Sequence, residues 1–254
     1  MILTIDIGNT TVALTGLERT DGDYSIVFAE KIPSDKDRSD FETPVERLLD
    51  GHFTRIEGAA LSSVVPELTA SVCRAVERVT GISPAVISAK DCKSLTFAIS
   101  EPERVGLDRI ADSAWAAARY PLPAVTVDLG TATTFNVIGA GGVFLGGMIA
   151  AGLQTSLNAL SERAAQLPKL SLSPPERLIG RNTAECMLSG TVIGTAAMID
   201  GMAARAEKEL GAPVSLILTG GGAELAEPFL TYPHVYEPYL LAKGLAHIYS
   251  EMTR

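Results

Sequence analysis

Apolar residues in this chain fall into short runs of strand length, separated by longer stretches with helical spacing. Met1 to Ile7 opens as an apolar run broken by Thr4 and Asp6, the alternation expected of a strand. Ile26–Ala29, Ala59–Leu61 and Ala85–Ile87 read as further strands, and Glu67–Thr80 as a helix closed by Gly81. Arg109–Tyr120 reads as a helix stopped by Pro121 and Pro123, which sets the boundary between a first lobe, 1–119, and a second, 120–254. Asn136–Met148 has the pattern of a hairpin turning at Gly141-Gly142. Asn182-x-x-Glu185 has capping-box spacing and starts a long helix through Leu210, stopped by Gly211; Gly190, Gly194 and Gly201 inside it permit close packing. Val214–Leu218 then reads as a buried strand, Thr219-Gly220-Gly221-Gly222 as a tight turn, Ala223–Leu230 as a helix and Leu240–Met252 as an amphipathic helix. Such alternation predicts an α/β fold, with the last helix free to pack back on the first lobe.

The chain also echoes itself. Thr4-Ile5-Asp6-Ile7-Gly8-Asn9-Thr10-Thr11 lines up with Thr126-Val127-Asp128-Leu129-Gly130-Thr131-Ala132-Thr133, an offset of 128 − 6 = 122 positions. Two related lobes, each opening on a strand that ends in Asp-x-Gly, are the simplest inference.

Composition narrows the function. With 21 Lys and Arg against 30 Asp and Glu, a net charge of −9 and no basic block, the chain lacks the clustered cations that nucleic acid demands. Cys73, Cys92 and Cys186 are few and widely spaced, so neither a disulfide framework nor a zinc site is expected. The strand pattern starts at Met1 with no secretory signal, and the uncharged run Val137–Leu153 holds six Gly in 17 residues, which argues against a membrane span. A cytoplasmic protein without membrane or nucleic-acid partners is expected. Any phosphate must be bound by something other than a basic patch.

Two segments supply it. Asp6-Ile7-Gly8-Asn9-Thr10-Thr11 puts a reversal at a strand end, followed by hydroxyls and backbone N–H groups, a phosphate cradle built of dipoles. A carboxylate there would repel phosphate unless a hard divalent ion such as Mg²⁺ lies between them; the plainer alternative is an ordinary β-turn. In the second copy, Asp128 is the one charged residue among the 42 from Tyr120 to Ser161. A lone carboxylate in such a stretch points to a ligand or a cation, or else to a turn in which backbone N–H groups satisfy it. Gly106-Leu107-Asp108-Arg109 offers either a carboxylate that caps a helix or a catalytic Asp beside an Arg able to grip an anion in bidentate fashion. No G-x-x-x-x-G-K is present, and Gly139-x-Gly141-x-x-Phe144 breaks the dinucleotide fingerprint. The order Asp-x-Gly, Asp-x-Gly, then the turn at Gly220 and Gly221 resembles the two phosphate motifs and the adenosine motif of the actin-like, sugar-kinase ATPases. That resemblance implies two ribonuclease H-like lobes with a cleft between them.

A closer resemblance runs over essentially the whole chain. It rests on Ile5-Asp6-Ile7-Gly8-Asn9-Thr10, Ser62-Ser63-Val64-Val65-Pro66, Pro102-x-x-x-Gly106-Leu107-Asp108-Arg109, Asp128-Leu129-Gly130-Thr131-Ala132-Thr133-Thr134, Gly146-Gly147-x-Ile149-x-x-Gly152, Gly180-x-Asn182-Thr183 and Thr219-Gly220-Gly221. In this set the chain resembles the type III pantothenate kinases, also labelled Bvg accessory factor-like. The resemblance implies ATP-dependent phosphorylation of pantothenate to 4′-phosphopantothenate, the first step towards coenzyme A, by a homodimer that uses a divalent cation and a monovalent one, K⁺ or NH₄⁺. It implies that Asp108 orients the attacking hydroxyl and accepts its proton. Gly106, Leu107, Arg109 and a Thr183 contributed across the dimer would bind pantothenate. Asp6 and Asp128 would organise the metal, and Gly8, Asn9, Thr10, Thr11, Gly130, Thr131, Thr133, Gly220 and Gly221 would bind ATP. Thr183 could equally serve as a helix cap.

Three positions depart from the family pattern: Ile99 stands where many relatives have Tyr, Asn136 where Asp is usual and Ala151 where Pro is typical. They leave two alternatives, a kinase of the same fold acting on another small hydroxyl compound, or a nucleotide-binding regulatory homologue without catalysis.

Overall fold

The computed structural model describes residues 1–35, 41–52, 55–164 and 166–253. The chain divides into two compact units, Met1–Thr96 with Ser100–Arg119 and Leu240–Arg254, and Phe97–Ile99 with Tyr120–Tyr239.

The first unit opens with three strands, β1 (Ile2–Ile7), β2 (Thr11–Arg19) and β3 (Tyr24–Pro33), followed by helix α1 (Glu42–Leu49), β4 (Gly58–Ser63), helix α2 (Pro66–Thr80) and the two-residue β5 (Ala85–Val86). Its sheet runs β3-β2-β1-β4-β5; the first three strands are antiparallel, and β4 and β5 are added in parallel. On one face Leu3, Ile5, Ile7, Ala59 and Leu61 form the core with Val45 and Leu49 of α1 and Leu68, Val72 and Val76 of α2. Helix α2 starts with Pro66 in its first turn, where the missing N–H is harmless, and ends on Gly81 at φ +72°, the left-handed cap expected from the sequence. A two-residue strand β6 (Thr96–Phe97) and helix α3 (Leu107–Arg119) follow.

The second unit repeats the plan. Strands β7 (Ala124–Leu129), β8 (Ala132–Gly139) and β9 (Val143–Ala151) lead into helices α4 (Leu153–Arg163) and α5 (Thr183–Leu210), then β10 (Ser215–Thr219), α6 (Ala223–Ala226) and β11 (His234–Tyr236). Its sheet order is β11-β10-β7-β8-β9-β6. Without the added edge strand this is the order of the first sheet, with the same antiparallel trio and the same parallel addition. Two α/β units of ribonuclease H-like topology, the plan of the actin-like ATPases, are therefore present. The β8–β9 hairpin turns through Gly141 and Gly142, both at positive φ. Helix α5 is capped by Asn182, whose Oδ1 accepts from Glu185 N at 2.9 Å, and closes on Gly211 at φ +68°. By length and composition alone it could cross a bilayer, yet its Val192, Ile199 and Ala203 lie in the core against β7 and β10.

The last helix, α7 (Leu240–Met252), belongs to the first unit and packs on α3 and on the face of β1 and β4 opposite α1 and α2. Small residues make this possible. A Cβ on Gly244 would collide with the Ala111 carbonyl oxygen, and one on Gly58 with the Tyr249 ring. Lys243, almost fully buried, reaches Asp23 Oδ1 at 3.0 Å. Burial raises the Asp23 carboxyl, but the Tyr24 N–H and Lys243 outweigh that and hold it below its usual value.

Gly244→Ala is expected to force α7 off α3, costing about 1–3 kcal/mol, the usual range for overpacking. Thermal unfolding followed by circular dichroism checks this; an unchanged midpoint would contradict the close approach.

Candidate active site

Both Asp-x-Gly segments sit at the carboxyl end of the first strand of their sheet, where open α/β sheets bind ligands. Asp6 is the penultimate residue of β1 and Asp128 that of β7, each half-buried. After Asp6 the chain reverses with Gly8 N donating to Thr11 O at 2.9 Å; after Asp128, Gly130 N donates to Ala132 O at 3.0 Å. The second turn is thus one residue shorter, and the echo slips: Ile7 faces Val12 across its hairpin, while Leu129 faces Thr133.

That slip decides where Thr133 lies. It occupies the place of the core residue Val12, is fully buried, and turns its hydroxyl to the Ala151 carbonyl at 3.5 Å instead of towards the loop. Thr131 stays exposed in the turn, and its carbonyl is held by Gly152 N at 3.1 Å and Thr155 Oγ1 at 2.7 Å.

In the first loop Asn9, Thr10 and Thr11 are all exposed. Ser34, which no sequence motif singles out, anchors them: its Oγ donates to Gly8 O at 2.6 Å and its N to Thr10 O at 2.9 Å. A trans peptide points its C=O and the following N–H in opposite directions. The N–H groups of Asn9 and Thr11 therefore face away from Ser34, oriented as an anion cradle needs.

Glycine completes the second unit's site. β10 runs parallel to β7 with Thr219 in register with Asp128, and Gly220 follows at φ +89°. A Cβ on Gly220 would collide with Asp128 Oδ1, and one on Gly152 with the Gly130 carbonyl oxygen. Gly222 N closes the turn on Leu129 O at 2.9 Å, whereas Gly221 is exposed with open space at its Cβ position. Asp128, Gly130, Thr131, Gly152 and Gly220 thus come together at one end of the sheet.

In the first unit, Gly106 precedes α3, and Leu107 and Asp108 are its first two residues. Asp108 Oδ1 accepts from Arg109 N at 2.9 Å and folds over Gly106 so closely that a Cβ there would collide with it. No other hydrogen bond to this carboxylate is found among the described residues. Arg109 is half-buried; burial lowers its pKa and the Asp108 carboxylate works against that shift.

Thr183 is the first residue of α5 and exposed; the cap role falls to Asn182 beside it. It lines an open, apolar groove of about 1000 Å³ with Ala151, Leu160, Cys186, Gly190 and Gly194. Of the three departures, Asn136 lies fully buried inside the sheet and donates to Thr126 Oγ1 at 3.0 Å. Ile99 packs beside Gly146, and Ala151 ends β9 in register with Ala132.

With this geometry in place, comparison with known proteins decides the family. A family model described as type III pantothenate kinase matches residues 2–205. A type III pantothenate kinase of Thermus thermophilus is 38% identical over 259 residues, covering 99% of each chain. The chain belongs to the type III pantothenate kinase family. A further member, from Hyphomonas neptunium, is 34% identical over 98% of both chains. Among solved structures, a conserved Baf family protein from Campylobacter jejuni superposes with a TM-score of 0.58 at 18% identity over 98% of each chain, a likeness of fold.

The paired glycines give a test. Gly220→Ala places a side chain at positive φ and against Asp128, so a loss of about 1–3 kcal/mol is expected. Gly221→Ala is expected to stay within about 0.5 kcal/mol of the parent. Chemical denaturation of both variants measures the difference; equal values would mean that Asp128 does not lean over Gly220.

Proposed function

We propose that the protein transfers the γ-phosphoryl group of ATP to the primary hydroxyl of pantothenate, in the cytosol, with Asp108 as the residue that orients the hydroxyl and receives its proton. The observation carrying this reading is the carboxylate of Asp108, fixed at one oxygen by the start of α3 and next to the half-buried Arg109, in a chain of this family. Phosphoryl transfer proceeds through a loose transition state and asks for orientation of the attacking hydroxyl more than for a strong base, which a positioned carboxylate can supply. Arg109, with Gly106 and Leu107 beside it, would hold the pantothenate carboxylate, since a guanidinium grips a carboxylate through two parallel hydrogen bonds.

For ATP, the N–H groups of Asn9 and Thr11 and the side chains of Asn9, Thr10 and Thr11 would receive phosphate oxygens, with Gly8 forming the reversal that presents them, and the turns at Gly130, Thr131, Gly220 and Gly221 would let the nucleotide approach the backbone. Thr133 would brace β8 against β9 beneath that turn. The donor set fits a divalent cation brought in by the nucleotide. Among the described residues no cluster of three or more His, Cys, Asp or Glu could hold an ion alone, and Mg²⁺ is commonly held by one or two carboxylates plus substrate phosphates. Asp6 in the first unit and Asp128 in the second are each a candidate for such a carboxylate. When bound, the ion neutralises charge developing on the phosphate oxygens.

A homodimer and a monovalent cation, K⁺ or NH₄⁺, complete the reading. The apolar groove holding Thr183 and the exposed Leu178 and Ile179 support a second copy covering this face.

Asp108→Asn is expected to lower kcat by two orders of magnitude or more while ATP binding is retained, as about 10²–10⁴-fold is typical for a positioned acid or base. A coupled assay with ATP, Mg²⁺, K⁺ and pantothenate checks it. Near-normal turnover would remove Asp108 from its role, and turnover of only a sugar or polyol would remove pantothenate. Sedimentation velocity should give a dimer; an active monomer would count against the part given to Thr183.

A further inference from the structure

Ser62 and Ser63 end β4 side by side, yet only one is satisfied. Ser63 Oγ accepts from Val65 N at 3.1 Å and from Thr69 Oγ1 at 2.8 Å. Ser62 is 0% exposed, and its Oγ has no hydrogen-bond partner among the described residues. A buried hydroxyl left without a partner costs about 1–3 kcal/mol, so each instance calls for an explanation. Small size alone could explain it: Gly58, Ala60 and Ser62 share the face on which α7 packs, and bulk there is excluded. Alanine would then serve better, because it fits the same space without an orphaned group.

The register supplies a second reason. β4 runs parallel to β1 with Ser62 directly opposite Asp6, so both side chains project from the same face of the sheet, at a strand spacing of about 4.8 Å. As placed, Ser62 Oγ has no acceptor within hydrogen-bond distance among the described residues, so a bond to Asp6 asks for a change of side-chain rotamer at one of the two residues, with the strand register already setting them side by side. The second unit repeats the arrangement: β10 runs parallel to β7 with Thr219, only 4% exposed, directly opposite Asp128. Each first-strand carboxylate is therefore faced by a buried hydroxyl from the fourth strand, although the turns that follow the two carboxylates differ in length.

We infer that Ser62 is a positioning residue: its hydroxyl donates to the Asp6 carboxylate when that group holds the cation that arrives with the nucleotide. Carboxylates that ligate metals are themselves hydrogen-bonded, and losing such a partner lowers metal affinity or activity by about 10–100-fold. The inference rests on the proposed role of Asp6, not on the identity of the phosphate acceptor.

The test is calorimetric binding of a non-hydrolysable ATP analogue, with and without Mg²⁺. Ser62→Ala should weaken Mg²⁺-dependent binding by about 10-fold, leave Mg²⁺-free binding unchanged, and keep or raise the thermal midpoint. Ser62→Thr, which keeps the hydroxyl, should bind like the parent. In an Asp6→Asn background Ser62→Ala should add nothing further. A role in packing alone predicts the reverse order, with Ala tolerated and Thr damaging, and that result would overturn the inference. So would parent-like Mg²⁺-dependent binding by Ser62→Ala, a full loss persisting in the Asp6→Asn background, or a parent protein that binds the analogue no better with Mg²⁺. A parent that binds the analogue with Mg²⁺ but does not phosphorylate pantothenate would defeat the proposed function and leave the role of Ser62 standing.

Discussion

The parallel pairing of first and fourth strands governs the arrangement of each unit. Where β1 lies beside β4, and β7 beside β10, three things meet at the carboxyl ends: a carboxylate on the first strand, a hydroxyl opposite it, and a chain that must turn away at once. Parallel neighbours cannot be joined by a tight turn, so each pair needs a crossover, and α1 in one unit and α4 with α5 in the other supply it. Those crossovers cover one face of each sheet with apolar side chains. The polar ends remain available for ligands because the core occupies the middle.

Glycine then determines how closely polar groups approach one another. Asp128 can lean over the end of β10 because Gly220 has no Cβ, and Gly152 lets the start of α4 close on the Gly130 turn. In the first unit Gly106 does the same for Asp108. None of these contacts needs a positive charge. A chain with net charge −9 can therefore assemble a site for a polyanion, provided that a cation travels with it.

Much of this is legible in the sequence, for identifiable reasons. The bounds of α7 follow from periodicity, and the ends of α2 and α5 from caps, since Gly81, Asn182 and Gly211 leave local signatures that do not depend on the rest of the fold. Strand β2 escapes a sequence reading because its first residue, Thr11, belongs to a motif with the character of a loop, and α4 because its N-cap is Gly152 and no polar side chain announces the helix. Asp6 and Asp128 stand out as carboxylates beside glycine in apolar surroundings. Threonines at 131, 133 and 134 match Thr10 and Thr11 almost equally well, so the sequence alone does not say which of them shares the place of Val12. Only the strand register reveals the one-residue difference between the turns. Ser62 carries no local signal of its pairing, since its meaning comes from a strand more than 50 positions earlier in the chain.

The last helix has a consequence for how the molecule is made. α7 covers a face of β1 and β4 and lies against α3, so a unit begun by the first residues is closed by residues that follow the whole of the second. In synthesis from the amino terminus, Trp115, which packs against His247 and Lys243 of α7, gains that cover only after the residues of the second unit have been made. The first unit thus includes a helix separated from the rest of it by more than a hundred residues of intervening chain, a contact of high sequence separation that is slow to form.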